Sequence, residues 1–221
     1  MPPTSIREFA DPRTDPAVRG FLHLPESPNG NGLILTHGAG ANAQAPLLRA
    51  LAETFAEAGF TVLRCDLPFR QVRPLGPPGR GDAARDRVGL KNAVATMVTN
   101  RVFLAGHSYG GRQASMLCAE EPHLAAGLLL LSYPLHLPGR QELRTQHLPD
   151  LRTPTLFVHG TRDPFGSITE LERAIKMIPA RTKLLSVEGA GHDLGFKGKA
   201  RKEDLPGLVA AEFQRFISAN P

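Results

Sequence analysis

A serine attacks a carbonyl at neutral pH only with a base beside it and a carboxylate to orient that base. The chain offers residues of those three kinds in one order: Ser108 in Gly106-His-Ser-Tyr-Gly110, Asp163 in Gly160-Thr-Arg-Asp-Pro164, and His192 in Glu188-Gly-Ala-Gly-His192. Each follows a short apolar run, at 102–105, 155–159 and 183–187. Gly-x-Ser-x-Gly is the spacing that a very sharp strand-to-helix turn requires. The serine sits in strained backbone, and its neighbours two positions away must carry almost no side chain. Such a turn lifts the hydroxyl above the sheet edge and aims a helix N-terminus at the same spot. Ser108 is then the expected nucleophile, His192 the general base and later acid, and Asp163 the group that fixes the imidazole tautomer. A plain glycine-rich turn would carry the same five residues, so the order of all three loops is what singles out this chemistry.

The tetrahedral intermediate of such an attack carries a negative oxygen that needs preorganised N–H donors. Tyr109 supplies one backbone N–H at a helix start. The second is expected from the loop His37-Gly-Ala-Gly-Ala-Asn42, from Ala39 with Gly40 next. His37 is expected to brace that loop, His107 to pack under the turn, and His159 to be structural. His37 and His107, with Arg112, Tyr133, His136, Phe69 and Arg70, are the candidates for substrate contact. Asp193 is the rival acid, but a neighbour in sequence rarely reaches its own neighbour's Nδ1. The loop arginines Arg64, Arg70, Arg73 and Arg80 leave an anionic substrate open. Lys197, Lys199, Arg201 and Lys202 read as a solvated basic face. No histidine or acid cluster has metal-ligand spacing, and a dinucleotide fingerprint would need glycine where Ala43 stands. No metal and no cofactor are expected.

These loops need strands to hold them. Runs at 32–36, 60–65, 102–105, 125–132, 155–159 and 183–187 read as buried strands, and segments 45–58, 82–99, 167–178 and 205–219 as helices, with Asp82 able to cap its own. That alternation implies an α/β fold: a three-layer sandwich with a mostly parallel sheet and helices on both faces. Residues 18–24 alternate apolar and polar, as an antiparallel edge strand does. The proline-rich stretch 66–81 is expected to hold no regular element. Residues 1–17 read as an irregular arm, and 18–221 as a single domain.

Composition narrows the classes. The 221 residues are 41% hydrophobic with a net charge of +5, and the basic residues are scattered among few aromatics, so no nucleic-acid footprint emerges. No apolar run approaches membrane-spanning length, and the first residues have no apolar signal region. Cys65 and Cys118 suit free buried thiols in a reduced compartment, and a cytoplasmic location is expected. The partner expected is a small ester or thioester, with no nucleic acid or membrane.

Taken together, the residues resemble the α/β-hydrolase superfamily over 18–219. More narrowly, Thr36-His-Gly-Ala-Gly-Ala, Gly-His-Ser-Tyr-Gly-Gly-Arg112, Ser132-Tyr-Pro-Leu-His136, Gly160-Thr-Arg-Asp and Gly191-His192 resemble the group of testis-expressed protein 30 and the hydrolase-like part of KAT8 regulatory NSL complex subunit 3. Dienelactone-hydrolase-like proteins are a broader match. The resemblance implies the same sheet and triad. The link between Ser132 and Thr155 is too short for a large helical cap, which leaves a site open or roofed only by 66–81. Three functions stay open: an esterase or thioesterase, a peptidase or acyltransferase with the same triad, and a non-catalytic module that binds a protein partner.

Overall fold

Strands with no polar face must be covered on both sides. In the computed structural model, which describes residues 5–196 and 204–219, they are. The elements run β1 (Ser5–Asp11), β2 (Val18–Leu24), β3 (Asn31–Thr36), α1 (Pro46–Glu57), β4 (Thr61–Cys65), α2 (Pro68–Val72) and α3 (Asp82–Ala95). Then follow β5 (Arg101–His107), α4 (Tyr109–Glu120), β6 (Leu128–Leu131), β7 (Thr155–Gly160), α5 (Ile168–Ile175), β8 (Thr182–Val187) and α6 (Leu205–Ser218). The strands form an eight-stranded sheet in the order β1-β2-β4-β3-β5-β6-β7-β8. From β4 to β8 all neighbours are parallel, whereas β2 is antiparallel to both β1 and β4.

The period of two along each strand divides the core. Ile34, Leu63, Leu104 and Leu130 face one side, where they meet Leu90 and Ala93 of α3, Ala114 and Leu117 of α4, and Leu171 of α5. Leu33, Leu35, Phe103, Ala105 and Val158 face the other, against Leu48, Leu51 and Phe55 of α1 and Val209 and Phe213 of α6. Phe213 packs edge-on against both Phe55 and Phe103 and is fully buried. Truncating such a ring to alanine costs about 3–5 kcal/mol.

Local chemistry sets the helix ends. Pro46 opens α1 where its missing N–H is harmless. Ser167 and Glu170 form a reciprocal capping box on α5, and the Asp204 carboxylate accepts the Gly207 N–H on α6.

Four expectations are corrected. Ser5–Asp11 is a strand, not an irregular arm; it pairs through its backbone along all of β2, which side-chain patterning does not reveal. It follows that Val18–Leu24 is antiparallel but not at the edge. The 66–81 stretch contains α2, a short helix opened by Pro68. Asp82 begins α3 rather than capping it: Gly81 holds the cap position in left-handed backbone, and the Asp82 carboxylate accepts the Gly79 N–H instead. The link from Ser132 to Thr155 holds no helix beyond a single 3-10 turn (Leu148–Asp150), so no helical cap stands there. No helix among the described residues is long and apolar enough to cross a membrane.

Candidate active site

The turn between β5 and α4 is set by what cannot fit there. Ser108 has φ 50 and ψ −116, a strained backbone for a residue with a side chain. The strand and the helix after it nearly touch: a Cβ on Gly106 would lie 2.4 Å from the Gly111 nitrogen, and one on Gly110 would lie 2.5 Å from the His37 carbonyl oxygen. Real side chains cannot approach so closely, so both glycines are required. The Ser108 N–H donates to the Leu131 carbonyl at 2.8 Å, which ties the turn to the end of β6.

Three loops at the carboxyl ends of parallel strands then converge. The Ser108 hydroxyl lies 2.8 Å from His192 Nε2, and His192 Nδ1 lies 2.9 and 3.0 Å from the two Asp163 oxygens. With Nδ1–H donating to the carboxylate, Nε2 is left as the acceptor of the serine proton. Asp163 is buried and also accepts the Phe165 N–H at 2.9 Å. Burial pushes its carboxyl upward, but the bond from His192, that imidazole's proximity and the Phe165 N–H outweigh burial and hold it below the usual range. The Phe165 ring stacks on His192 with centroids 4.1 Å apart. His159 donates Nε2–H to the Gly166 carbonyl at 2.8 Å and lies 3.7 Å from Asp163, so it supports the acid's loop from beneath.

The loop after β3 meets the serine from the other side. Its carbonyls are anchored: Gly38 accepts His37 Nδ1–H at 2.8 Å and the Ala41 N–H at 3.1 Å, and Ala39 accepts an Arg70 N–H at 2.6 Å. A trans peptide points its N–H opposite its C=O, so these anchors fix the directions of the Ala39 and Gly40 N–H groups as well. Ala39 and Gly40 line the cleft with Ser108 and Tyr109. The first N–H groups of α4, Tyr109 among them, have no partner within the helix. Arg70 is the hub here, because it also donates to the carbonyls of Ala41, Arg73 and Gly76.

A buried carboxylate backs this arrangement. Asp86 of α3 accepts the Tyr109 hydroxyl at 2.7 Å and the Phe69 N–H at 3.0 Å. Burial dominates and raises its pKa despite those bonds.

The cleft above Ser108 has a volume of about 1100 Å³. Leu47 and Leu48 of α1, residues 74–78, Leu137, Phe165 and Phe196 give it apolar walls, so the 66–81 stretch does form one side. Of the residues expected to contact substrate, Arg70, Arg112 and His107 line it. Four do not. His37 is fully buried, with Nδ1 on Gly38 and Nε2 accepting the Leu67 N–H at 3.1 Å. Tyr133 is buried with its hydroxyl donating to the Arg144 carbonyl. Phe69 packs between His37 and Tyr109, and His136 turns to Glu170 and the Leu137 carbonyl. His107 holds the His192 carbonyl at 2.7 Å, and burial keeps its imidazole neutral, with a pKa lowered to about 4.

The four loop arginines do not assemble an anion site. Arg64 is buried against His23 and the Ala43 carbonyl, Arg73 pairs with Asp82, Arg80 lies outside the cleft lining, and Arg70 is committed to four carbonyls. The basic run at 197–202 lies outside the described residues. Asp86, Phe165 and Arg144, which is also in the cleft lining, were not legible as site residues in the sequence. For Phe165 the only signal is its place two residues after Asp163.

The sheet order, the strained serine turn and the converging loops define an α/β-hydrolase fold. Residues 29–217 match the family described as Alpha/beta hydrolase domain, and the chain belongs to that family. Among curated proteins it is 27% identical over 184 residues to a Mycobacterium tuberculosis protein named, provisionally, as a phosphoribosyl transferase, and the match covers 79% of this chain. The chain spans only 39% of that relative's length. It is 26% identical over 179 residues to a cutinase of Thermobifida alba, covering 78% of this chain and 56% of the relative. In structure it is similar to a dienelactone hydrolase from Anabaena variabilis, with a TM-score of 0.73 at 21% identity and 96% of each chain covered.

Proposed function

We propose that the chain is a serine hydrolase that cleaves an ester or thioester of a small substrate through an acyl-enzyme. The observation that carries this reading is the unbroken path from the Ser108 hydroxyl through His192 to Asp163, at 2.8 and 2.9 Å. In acylation, Ser108 Oγ bonds to the substrate carbonyl carbon while its proton passes to His192 Nε2. Asp163 keeps Nδ1–H oriented and stabilises the imidazolium. As the tetrahedral intermediate collapses, the C–O or C–S bond breaks and His192 hands the proton to the leaving oxygen or sulfur. Water then attacks the acyl-enzyme with His192 again as base, and the acid leaves with the serine hydroxyl restored. The N–H of Tyr109 together with that of Ala39 or Gly40 receives the oxyanion.

The name of the Thermobifida alba relative, a cutinase, agrees with a hydrolytic role. The narrower likeness to the testis-expressed protein 30 group belongs to this reading and rests on the Ser132-Tyr-Pro-Leu-His136 stretch. A reduced, cytoplasmic compartment fits Cys65 and Cys118, both free and buried with thiols pushed up to about 12 by burial. The test is labelling by a fluorophosphonate probe. The parent should label, and Ser108→Ala and His192→Ala should not. A folded parent that resists the probe would move the binding-module reading ahead. Amide and acyl-acceptor substrates then separate peptidase and acyltransferase activity from ester cleavage.

A further inference from the structure

Several arginines among the described residues have evident hydrogen-bond or ion-pair partners. Arg13, Arg73, Arg85, Arg87 and Arg215 pair with carboxylates, and Arg64, Arg70 and Arg181 donate to carbonyls or histidine. Two others lie in the cleft. Arg112 and Arg144 both line the cavity that holds Ser108, and neither is in ion-pair contact with a carboxylate among the described residues. Arg112 Nε is buried and has no hydrogen-bond partner there. Burial first, and then the charge of Arg112, lower the pKa of Arg144, while Tyr133 and then Glu142 act the other way. Two like charges gathered at the wall of a largely apolar cleft, one with a buried donor unused, are costly unless an anion joins them.

Their position relative to the chemistry is fixed. Arg112 sits one helical turn after Ser108, and its N–H donates to the Ser108 carbonyl at 3.0 Å. Arg112 and Ser108 line the same cleft. Arg144 comes from the loop after β6, which is held because the Tyr133 hydroxyl donates to its carbonyl and its own N–H donates to Leu135. Its apolar neighbour in the lining is Leu137. Arg70, the third arginine in the cleft, does not compete for an anion, since its donors are taken by backbone carbonyls.

We infer that Arg112 and Arg144 form a carboxylate subsite, and that the substrate is an ester or thioester bearing a carboxylate a few bonds from the scissile carbonyl. A planar carboxylate accepts two parallel N–H bonds from a guanidinium, which a neutral chain of equal length cannot do. This assignment rests on the serine-hydrolase reading and names the substrate class for it.

The test compares mono-(4-nitrophenyl) glutarate with neutral 4-nitrophenyl pentanoate, and 4-carboxyphenyl butanoate with phenyl butanoate, so that the charge sits on the acyl side or on the leaving group. The parent should favour the charged member of at least one pair by tenfold or more in kcat/KM. That ratio should fall toward one in Arg112→Gln and in Arg144→Gln, and it should shrink as ionic strength rises. Equal ratios in parent and variants for both pairs would overturn the subsite. A second readout needs no turnover: glutarate should raise the melting temperature of the parent and of Ser108→Ala, but not of Arg112→Gln. No shift in the parent counts against the subsite. Fluorophosphonate labelling of the same samples separates the two levels: labelled protein with no charge preference ends the subsite alone, whereas unlabelled protein that glutarate still stabilises ends the hydrolase reading alone.

Discussion

The two sides of the cleft use arginine in opposite ways. On the side of the 37–42 loop, Arg70 is saturated, with four backbone carbonyls drawn onto one guanidinium. On the side of α4 and the loop after β6, Arg112 and Arg144 stand without carboxylate partners. A saturated cation is architecture: it fixes peptide planes, that between Ala39 and Gly40 among them. The pair of Arg112 and Arg144 is the proposed carboxylate subsite. On that reading the same residue type serves preorganisation on one wall and recognition on the other.

Mutations can sharpen this contrast, starting with the centre that both walls serve. Asp163→Asn keeps the shape but lets His192 settle in the wrong tautomer, and kcat should fall by about 10³–10⁴-fold with the fold intact by circular dichroism. Arg70→Ala frees the Ala39 and Ala41 carbonyls, and loss of one aligned oxyanion donor should lower kcat by about 10²-fold with KM little changed. Arg70→Lys should not restore it, because one ammonium cannot span four carbonyls. By contrast, Arg112→Gln should act mainly on KM for charged esters. Behind the site, Tyr109→Phe leaves the buried Asp86 with one fewer donor. A cost of about 1–3 kcal/mol in urea-unfolding free energy is expected.

A further effect is set by pH. Burial holds the imidazoles of His23, His107 and His147 at about 4, against 6.5 when free. The unfolded chain therefore binds more protons than the folded one between those values. Stability from these groups is complete above about pH 6.5 and declines as pH falls toward 4. Melting temperatures at pH 7.5 and pH 5 check this, and equal values would rule it out.

Much of the fold was legible because it is patterned. Leu128–Leu131 is apolar at every position and is covered on both faces, and the order Ser108, Asp163, His192 follows from loops that a parallel sheet must place at one edge. β1 was hidden because its residues are mostly exposed and its hold is backbone pairing. Asp86 lies among Ala, Arg and Val on α3 and reads as a surface charge; the two groups that bury it come from 17 and 23 residues away in sequence. Tyr133 and His136 belong to a distinctive stretch, yet Pro134 between them lines the cleft instead. Substrate contact depends on which way each side chain turns at the end of β6, where Ser132 takes a positive φ of 49, and residue type does not encode that.

Phe165 has a further consequence. Its ring lies nearly parallel to His192, at an interplanar angle of 29°. An aromatic face is the negative pole of a quadrupole, and it attracts a cation more than a neutral ring. In the proposed mechanism, the charge that His192 acquires with the serine proton rests on that face and on Asp163 together, so one residue with no ionisable group helps carry the transient imidazolium.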